Sequence, residues 1–144
     1  MQASGSNVEY VGPWGNPWKF LTNDGKITSI ILTNDEKTIH SLKFAYTDKD
    51  GNDLNAGPFG TPLPTPRLIE FSDGEILVET SGTFGMCANH QVKVIKSLTF
   101  KTNKGVYGPF GDASGTAFSM NGVFEGFFGN AGKVIYVFGA ILRV

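Results

Sequence analysis

The chain has 144 residues, and its nineteen glycines are nearly twice the ordinary usage of about 7%. Twelve of its eighteen aromatic residues are phenylalanine, which excludes a coiled coil or a disordered segment, and the glycines lack the three-residue period of collagen. Twelve basic against thirteen acidic residues leave a net charge of −1, so no overall field draws the chain to nucleic acid or to an anionic membrane. What remains is a turn-rich, all-β chain long enough to bury a core.

Residues 1–9, beginning Met1-Gln2-Ala3-Ser4-Gly5-Ser6, read as an N-terminal tail. The tail has neither a basic start nor an apolar run, so no signal peptide is visible and the chain is expected in the cytoplasm. Residues 10–144 read as one domain, and its organisation is repetitive. Gly12-Pro13-Trp14-Gly15, Gly57-Pro58-Phe59-Gly60 and Gly108-Pro109-Phe110-Gly111 are three copies of Gly-Pro-aromatic-Gly, starting 45 and then 51 residues apart. After each comes a turn dipeptide, Asp24-Gly25, Asp73-Gly74 or Asn121-Gly122, and then an apolar run beginning at Lys26, Glu75 or Val123. A further echo follows in Ile39-His40-Ser41-Leu42, Ile95-Lys96-Ser97-Leu98 and Ile135-Tyr136-Val137-Phe138. Three kinds of marker in the same order, three times over, define an internal threefold repeat.

Each unit reads as strands. Leu42, Phe44 and Tyr46 alternate with smaller or polar residues, as do Leu98 and Phe100, which is the period of a half-buried strand. Asp24-Gly25, Asp50-Gly51, Asp73-Gly74 and Asn121-Gly122 are read as hairpin turns, because both residues tolerate positive φ. No stretch carries a clean helical stripe, and Lys26 to Asp50, the longest run without Gly or Pro, is rich in Ile and Thr. Three units too small to bury their own apolar faces are expected to pack around a shared axis filled by phenylalanine. The longest apolar stretch, Val134 to Leu142, is nine residues and too short for a helix to cross a bilayer.

These residues resemble the jacalin-related plant lectins. The similarity is carried by the Gly-Pro-Trp-Gly opening, by Ser97-Leu98-Thr99-Phe100-Lys101-Thr102-Asn103-Lys104-Gly105-Val106-Tyr107-Gly108-Pro109-Phe110-Gly111, and by Gly126-Phe127-Phe128-Gly129-Asn130-Ala131-Gly132-Lys133. It extends from about residue 10 to the end, in one uncut chain as in the mannose-type branch. The resemblance implies a β-prism I fold of three four-stranded Greek-key sheets. It also implies recognition of mannose- or glucose-containing glycans, a role in plant defence or stress response, and assembly into homo-oligomers.

In that family a Gly-x-x-x-Asp loop holds the sugar, its carboxylate accepting hydroxyl hydrogen bonds with charge assistance. The corresponding run here is Gly132-Lys133-Val134-Ile135-Tyr136, with tyrosine at the carboxylate position. The equivalent positions of the other repeats are His40 and Lys96, and neither is acidic. The family's glycine-rich turn after the first tryptophan is replaced by Gly15-Asn16-Pro17-Trp18-Lys19. The resemblance therefore assigns carbohydrate contact to Gly15, Trp18, Gly132, Lys133, Val134 and Tyr136, with backbone N–H groups around Lys133 and Val134 and an aromatic platform from Trp18 or Tyr136. Two readings stay open: a lectin with a weakened or altered site, and a prism that has lost sugar binding and serves as a protein-interaction or regulatory module.

Other chemistry is poorly supported. Cys87-Ala88-Asn89-His90 offers one thiol and one imidazole, too few for a zinc site, and a loop cysteine is the simpler reading. Asp48-Lys49-Asp50-Gly51-Asn52-Asp53 has its glycine two places early for a calcium loop and reads as a turn. Glu70 and Glu79 fit exposed strand positions better than a glycosidase pair. Lys93, Lys96, Lys101 and Lys104 form a short basic run that reads as solvated strand and turn positions. No cofactor motif is present, and the chain is expected not to be an enzyme.

Overall fold

The computed structural model describes residues 15–87 and 92–144. The tail at 1–9, the first three residues of the Gly12 corner, and Ala88, Asn89 and His90 lie outside the described residues. Eleven strands follow in order: β1 (Asn16–Leu21), β2 (Lys26–Asn34), β3 (Ile39–Thr47), β4 (Asp53–Gly60), β5 (Arg67–Glu70), β6 (Leu77–Cys87), β7 (Val92–Thr102), β8 (Val106–Gly111), β9 (Thr116–Asn121), β10 (Val123–Ala131) and β11 (Ile135–Arg143). All pair antiparallel, in three sheets ordered β4-β3-β2-β5, β8-β7-β6-β9 and β1-β10-β11.

In the first two sheets three consecutive strands form a meander, and the next returns to lie beside the first. That is the Greek-key order. In the third sheet β1 occupies the returning place beside β10, so the sheet is closed by a strand from the other end of the sequence. The three sheets make a β-prism with internal threefold pseudo-symmetry.

The turn dipeptides play a different part from the one the sequence predicts. Asp24-Gly25 joins β1 to β2, Asp73-Gly74 joins β5 to β6, and Asn121-Gly122 joins β9 to β10. In every case the two strands belong to different sheets, so these are corners between sheets and not hairpins. Positive φ at Asn23 and Asp24 (57° and 62°) and at Gly74 and Gly122 (77° and 144°) reverses the chain, as the residue types require. Chain reversal alone does not choose the partner of the strand that follows. Only Asp50-Gly51 lies in a hairpin, between β3 and β4, where the Asp48 carboxylate accepts the Asp50 and Asn52 N–H groups at 2.9 Å.

The phenylalanines fill the shared interior in part. Phe20, Phe44, Phe100, Phe124, Phe127 and Phe138 are buried, whereas Phe128 is 42% exposed. Phe127 joins four of the others, with ring centroids 6.2 Å from Phe20, 5.2 Å from Phe44, 5.4 Å from Phe124 and 4.9 Å from Phe138. Aliphatic residues complete the core, and the echoed isoleucines are all buried, Ile39 and Ile135 where their strands begin and Ile95 as the fourth residue of β7. Their neighbours His40, Lys96 and Tyr136 are half-buried, as period-two alternation demands. Matching hydroxyl pairs repeat between sheets: Thr33 to Ser41 at 2.6 Å and Thr83 to Ser97 at 2.7 Å.

The strand directions place the β2–β3 turn, the β10–β11 turn, the end of β4 and the start of β1 at one end of the prism. The corners between sheets lie at the other end. There Arg143 donates to Glu125, to Thr22 and to the Gly25 carbonyl, tying β11 to the β1–β2 connection.

Candidate functional site

The β10–β11 turn is built from Gly132, Lys133 and Val134, with the Gly132 N–H donating to the Val134 carbonyl at 3.0 Å. Val134 is fully buried, in a small cluster with Cys87, Val92 and Val94, and it anchors the turn from beneath. Lys133 points to solvent. Tyr136 packs its ring against that cluster and back over the turn. A Cβ on Gly132 would lie 3.3 Å from Cε2 of Tyr136 and 3.5 Å from Cα of Gly15. Gly15, Gly132 and Tyr136 are therefore immediate neighbours, although over a hundred positions separate the first from the others.

Glycine is required at Gly15 for two reasons. Its φ is +77°, and a Cβ there would collide with the Ala131 carbonyl. The turn is also tied from outside, since the Thr61 hydroxyl donates to the Gly132 carbonyl at 2.9 Å.

Beside these residues lies an open depression of about 450 Å³, walled by Asn16, Pro17 and Trp18 from β1, by Pro58, Phe59 and Gly60 from β4, and by Ala131 and Gly132 from the β10 end. None of the described residues that line it is acidic. Trp18 is half-buried, and one face of its indole is covered by Phe59, with centroids 4.2 Å apart and planes 12° from parallel. Its Nε1–H is buried with no acceptor among the described residues. The structure thus brings Trp18 and Gly132 to one depression, sets Gly15 and Tyr136 against Gly132, leaves Lys133 exposed, and buries the side chain of Val134.

Pro58, Phe59, Gly60 and Thr61 were not foreseen as part of this site. Their signal was present in the Gly57-Pro58-Phe59-Gly60 corner, because the strand directions put both Gly-Pro-Phe-Gly corners at the same end of the prism as the β10–β11 turn. In this corner the Gly57–Pro58 bond is cis and Gly60 has φ +87°, matched by the cis Gly108–Pro109 bond and Gly111 at +93°.

The equivalent turn between β2 and β3 is organised by a carboxylate. Asp35 accepts the N–H groups of Lys37 and Thr38 at 2.8 Å and pairs with Nε2 of His40 at 2.9 Å. Burial pushes the Asp35 carboxyl up, but the His40 hydrogen bond and the two N–H donors outweigh it and hold the group below its ordinary value. Asp35 is spent on its own turn. Among the described residues no cluster of three or more His, Cys, Asp and Glu side chains is placed to hold a metal ion. Cys87 is buried at the end of β6, and Glu70 and Glu79 lie in different sheets.

Comparison with known proteins matches residues 9–141 to the jacalin-like lectin domain. The chain is 36% identical over 146 residues to a mannose/glucose-specific lectin of Parkia pendula, covering 92% of this chain and 31% of that protein. It is 35% identical over 143 residues to a galactose-specific lectin of Morus indica, covering 91% of this chain and 89% of the relative. The solved artocarpin–mannotriose complex superposes with a TM-score of 0.79 at 32% identity, over 94% of each chain. This chain spans about a third of the length of the Parkia lectin, and the relatives matched are lectins, not enzymes.

Proposed function

The chain belongs to the jacalin-like lectin domain family, and on that premise we propose that it binds carbohydrate in the depression between β1, the β4 corner and the β10–β11 turn, through an altered site. The observation that carries this reading is the meeting of Trp18 and Gly132, from opposite ends of the sequence, in one open depression, with Gly15 and Tyr136 set against Gly132. The bare Gly132 backbone at the depression's edge lets a hexose approach main-chain donors closely. The half-buried Trp18 and Tyr136 supply apolar surface with a polar tip, which suits a pyranose that is apolar on one side.

The altered feature is the absent carboxylate. A hydrogen bond to a charged group contributes about 1.5–3 kcal/mol, so its replacement by a phenol lowers single-sugar affinity roughly ten- to a hundredfold. Mannose- or glucose-containing glycans are the proposed ligands. A place in plant defence or stress response, homo-oligomeric assembly and a cytoplasmic location complete the proposal, all from family likeness. A glycan array followed by titration with mannose, glucose and galactose tests it: saturable binding weakened by Gly15→Ala supports the depression as the site. The absence of acidic residues among the described residues that line the depression favours one rival, a prism that binds protein. Failure to bind any glycan on the array would select that rival.

A further inference from the structure

The loop that follows β4, residues 61–66, carries proline at Pro62, Pro64 and Pro66. Thr61 stands directly before Pro62, which confines its backbone to the extended region, and its branched Cβ restricts χ1. Two hydrogen bonds fix this stretch to its own sheet. The Thr61 N–H donates to the His40 carbonyl at 3.2 Å, and the Leu63 N–H donates to the Thr33 hydroxyl at 3.2 Å. Gly60, the residue before, is wedged between β3 and β11: a Cβ there would lie 2.1 Å from the His40 carbonyl oxygen and 3.2 Å from Cδ1 of Ile135. Thr61 is thus a stiff side chain on a stiff backbone, held beside the β10–β11 turn.

From there its hydroxyl reaches across to another sheet and donates to the Gly132 carbonyl at 2.9 Å, 71 positions away. The second copy of the corner closes with its side chain used differently. Asp112 follows Gly111 as Thr61 follows Gly60, and its N–H donates to the Lys96 carbonyl at 2.8 Å, as the Thr61 N–H does to His40. The Asp112 carboxylate stays with its own sheet, accepting the Ser114 N–H at 2.9 Å and facing the Lys96 ammonium at 3.6 Å. The same corner forms with either residue, so what the threonine adds acts on the turn it touches.

What it touches is a single peptide unit. The Gly132–Lys133 bond is trans and planar, so a donor fixed at its carbonyl oxygen also fixes the Lys133 N–H, which points the opposite way. The Gly132 N–H is already spent on the Val134 carbonyl at 3.0 Å. Glycine brings no side chain to hold this peptide, and its backbone is the least restrained of any residue. We propose that Thr61 is a positioning residue for the β10–β11 turn: its hydroxyl sets the orientation of the Gly132–Lys133 peptide, and with it the affinity for a hexose that accepts the Lys133 N–H. The affinity part rests on the carbohydrate reading above, whereas the orientation part stands without it.

The test compares the full chain with Thr61→Val, which keeps the shape and loses the hydroxyl, and with Thr61→Ser, which keeps the hydroxyl. NMR of the isotopically labelled, sugar-free chains reports the peptide, and calorimetric titration with mannose reports affinity. Thr61→Val is expected to move the Gly132 carbonyl and Lys133 amide signals and to weaken mannose binding roughly two- to tenfold, the weight of one neutral hydrogen bond. Thr61→Ser is expected to leave both near wild type. Weaker binding by Thr61→Val with the two signals unmoved would make the threonine a direct sugar contact and overturn the proposal. Moved signals with unchanged affinity would overturn it too. If the wild-type chain binds no glycan, the carbohydrate reading fails and the two signals alone decide. Moved by Thr61→Val and restored by Thr61→Ser, they support Thr61 as the anchor of the turn; unmoved, they overturn it.

Discussion

Phe59 of β4 lies flat on Trp18 of β1, with ring centroids 4.2 Å apart and planes 12° from parallel. The two rings come from different sheets, so the stack joins the first sheet to the one closed by β1 while also forming one wall of the candidate site. Phe59→Ala removes the ring that covers the indole. Full truncation of a buried phenylalanine costs about 3–5 kcal/mol, and for this half-buried one about 2–3 kcal/mol is expected, read as a lower urea midpoint with an unchanged slope. Phe59→Leu is expected to recover roughly half of that loss.

A buried carboxylate makes stability depend on pH. The Glu75 carboxyl accepts from the Thr102 and Tyr107 hydroxyls at 2.6 Å and from the Ser72 N–H at 2.9 Å. These donors, Thr102 first, hold its pKa down at about 2 from an ordinary 4.5. A depressed folded-state pKa means that the folded chain resists protonation more than the unfolded one. The contribution is therefore complete above pH 4.5 and is lost progressively as pH falls from 4.5 towards 2. Denaturation midpoints of wild type and Glu75→Gln, measured across that range, are expected to lie well apart at pH 6 and to converge near pH 2. A constant gap would remove the carboxylate from the explanation.

Gly15 carries two constraints at once, a left-handed φ of +77° and a Cβ position occupied by the Ala131 carbonyl. Gly15→Ala is expected to cost about 1–3 kcal/mol of stability. It should also weaken glycan binding at least tenfold, because β1 must move away from Gly132. Gly51 serves as the control, since its φ is +84° but open space surrounds its Cβ position. Gly51→Ala is expected to lower the urea midpoint by a smaller amount and to leave glycan titrations unchanged.

Much of this was legible from the residues. The threefold repeat of Gly-Pro-aromatic-Gly, turn dipeptide and Ile-x-x-apolar predicts three β-rich units packed around a shared axis, and the family resemblance predicts that they form a prism. What the sequence could not convey was partnership. Asp24-Gly25 announces a reversal, but its following strand pairs with β3 and β5 instead of with β1, since burying an apolar face against a second sheet outweighs local turn chemistry. The site was legible where it lies on one turn, as at Gly132 to Tyr136. It was illegible where a wall comes from another repeat, as with Phe59 and Thr61, because their roles depend on which sheet ends meet. The stacking expectation for Trp18 likewise could not anticipate that Phe59 already covers one of its faces.

Tyr136 is where the account is most exposed. It stands in place of a carboxylate, half-buried against the Gly132 turn, and no acidic residue among the described ones lines the neighbouring depression. Calorimetric titration of mannose into wild type and Tyr136→Asp, with folding of both verified by thermal melts, compares the phenol with the carboxylate directly. The altered-site account predicts that Tyr136→Asp binds mannose roughly ten- to a hundredfold more tightly than wild type. Equal affinity in the two chains, or tighter binding by the wild type, would contradict it.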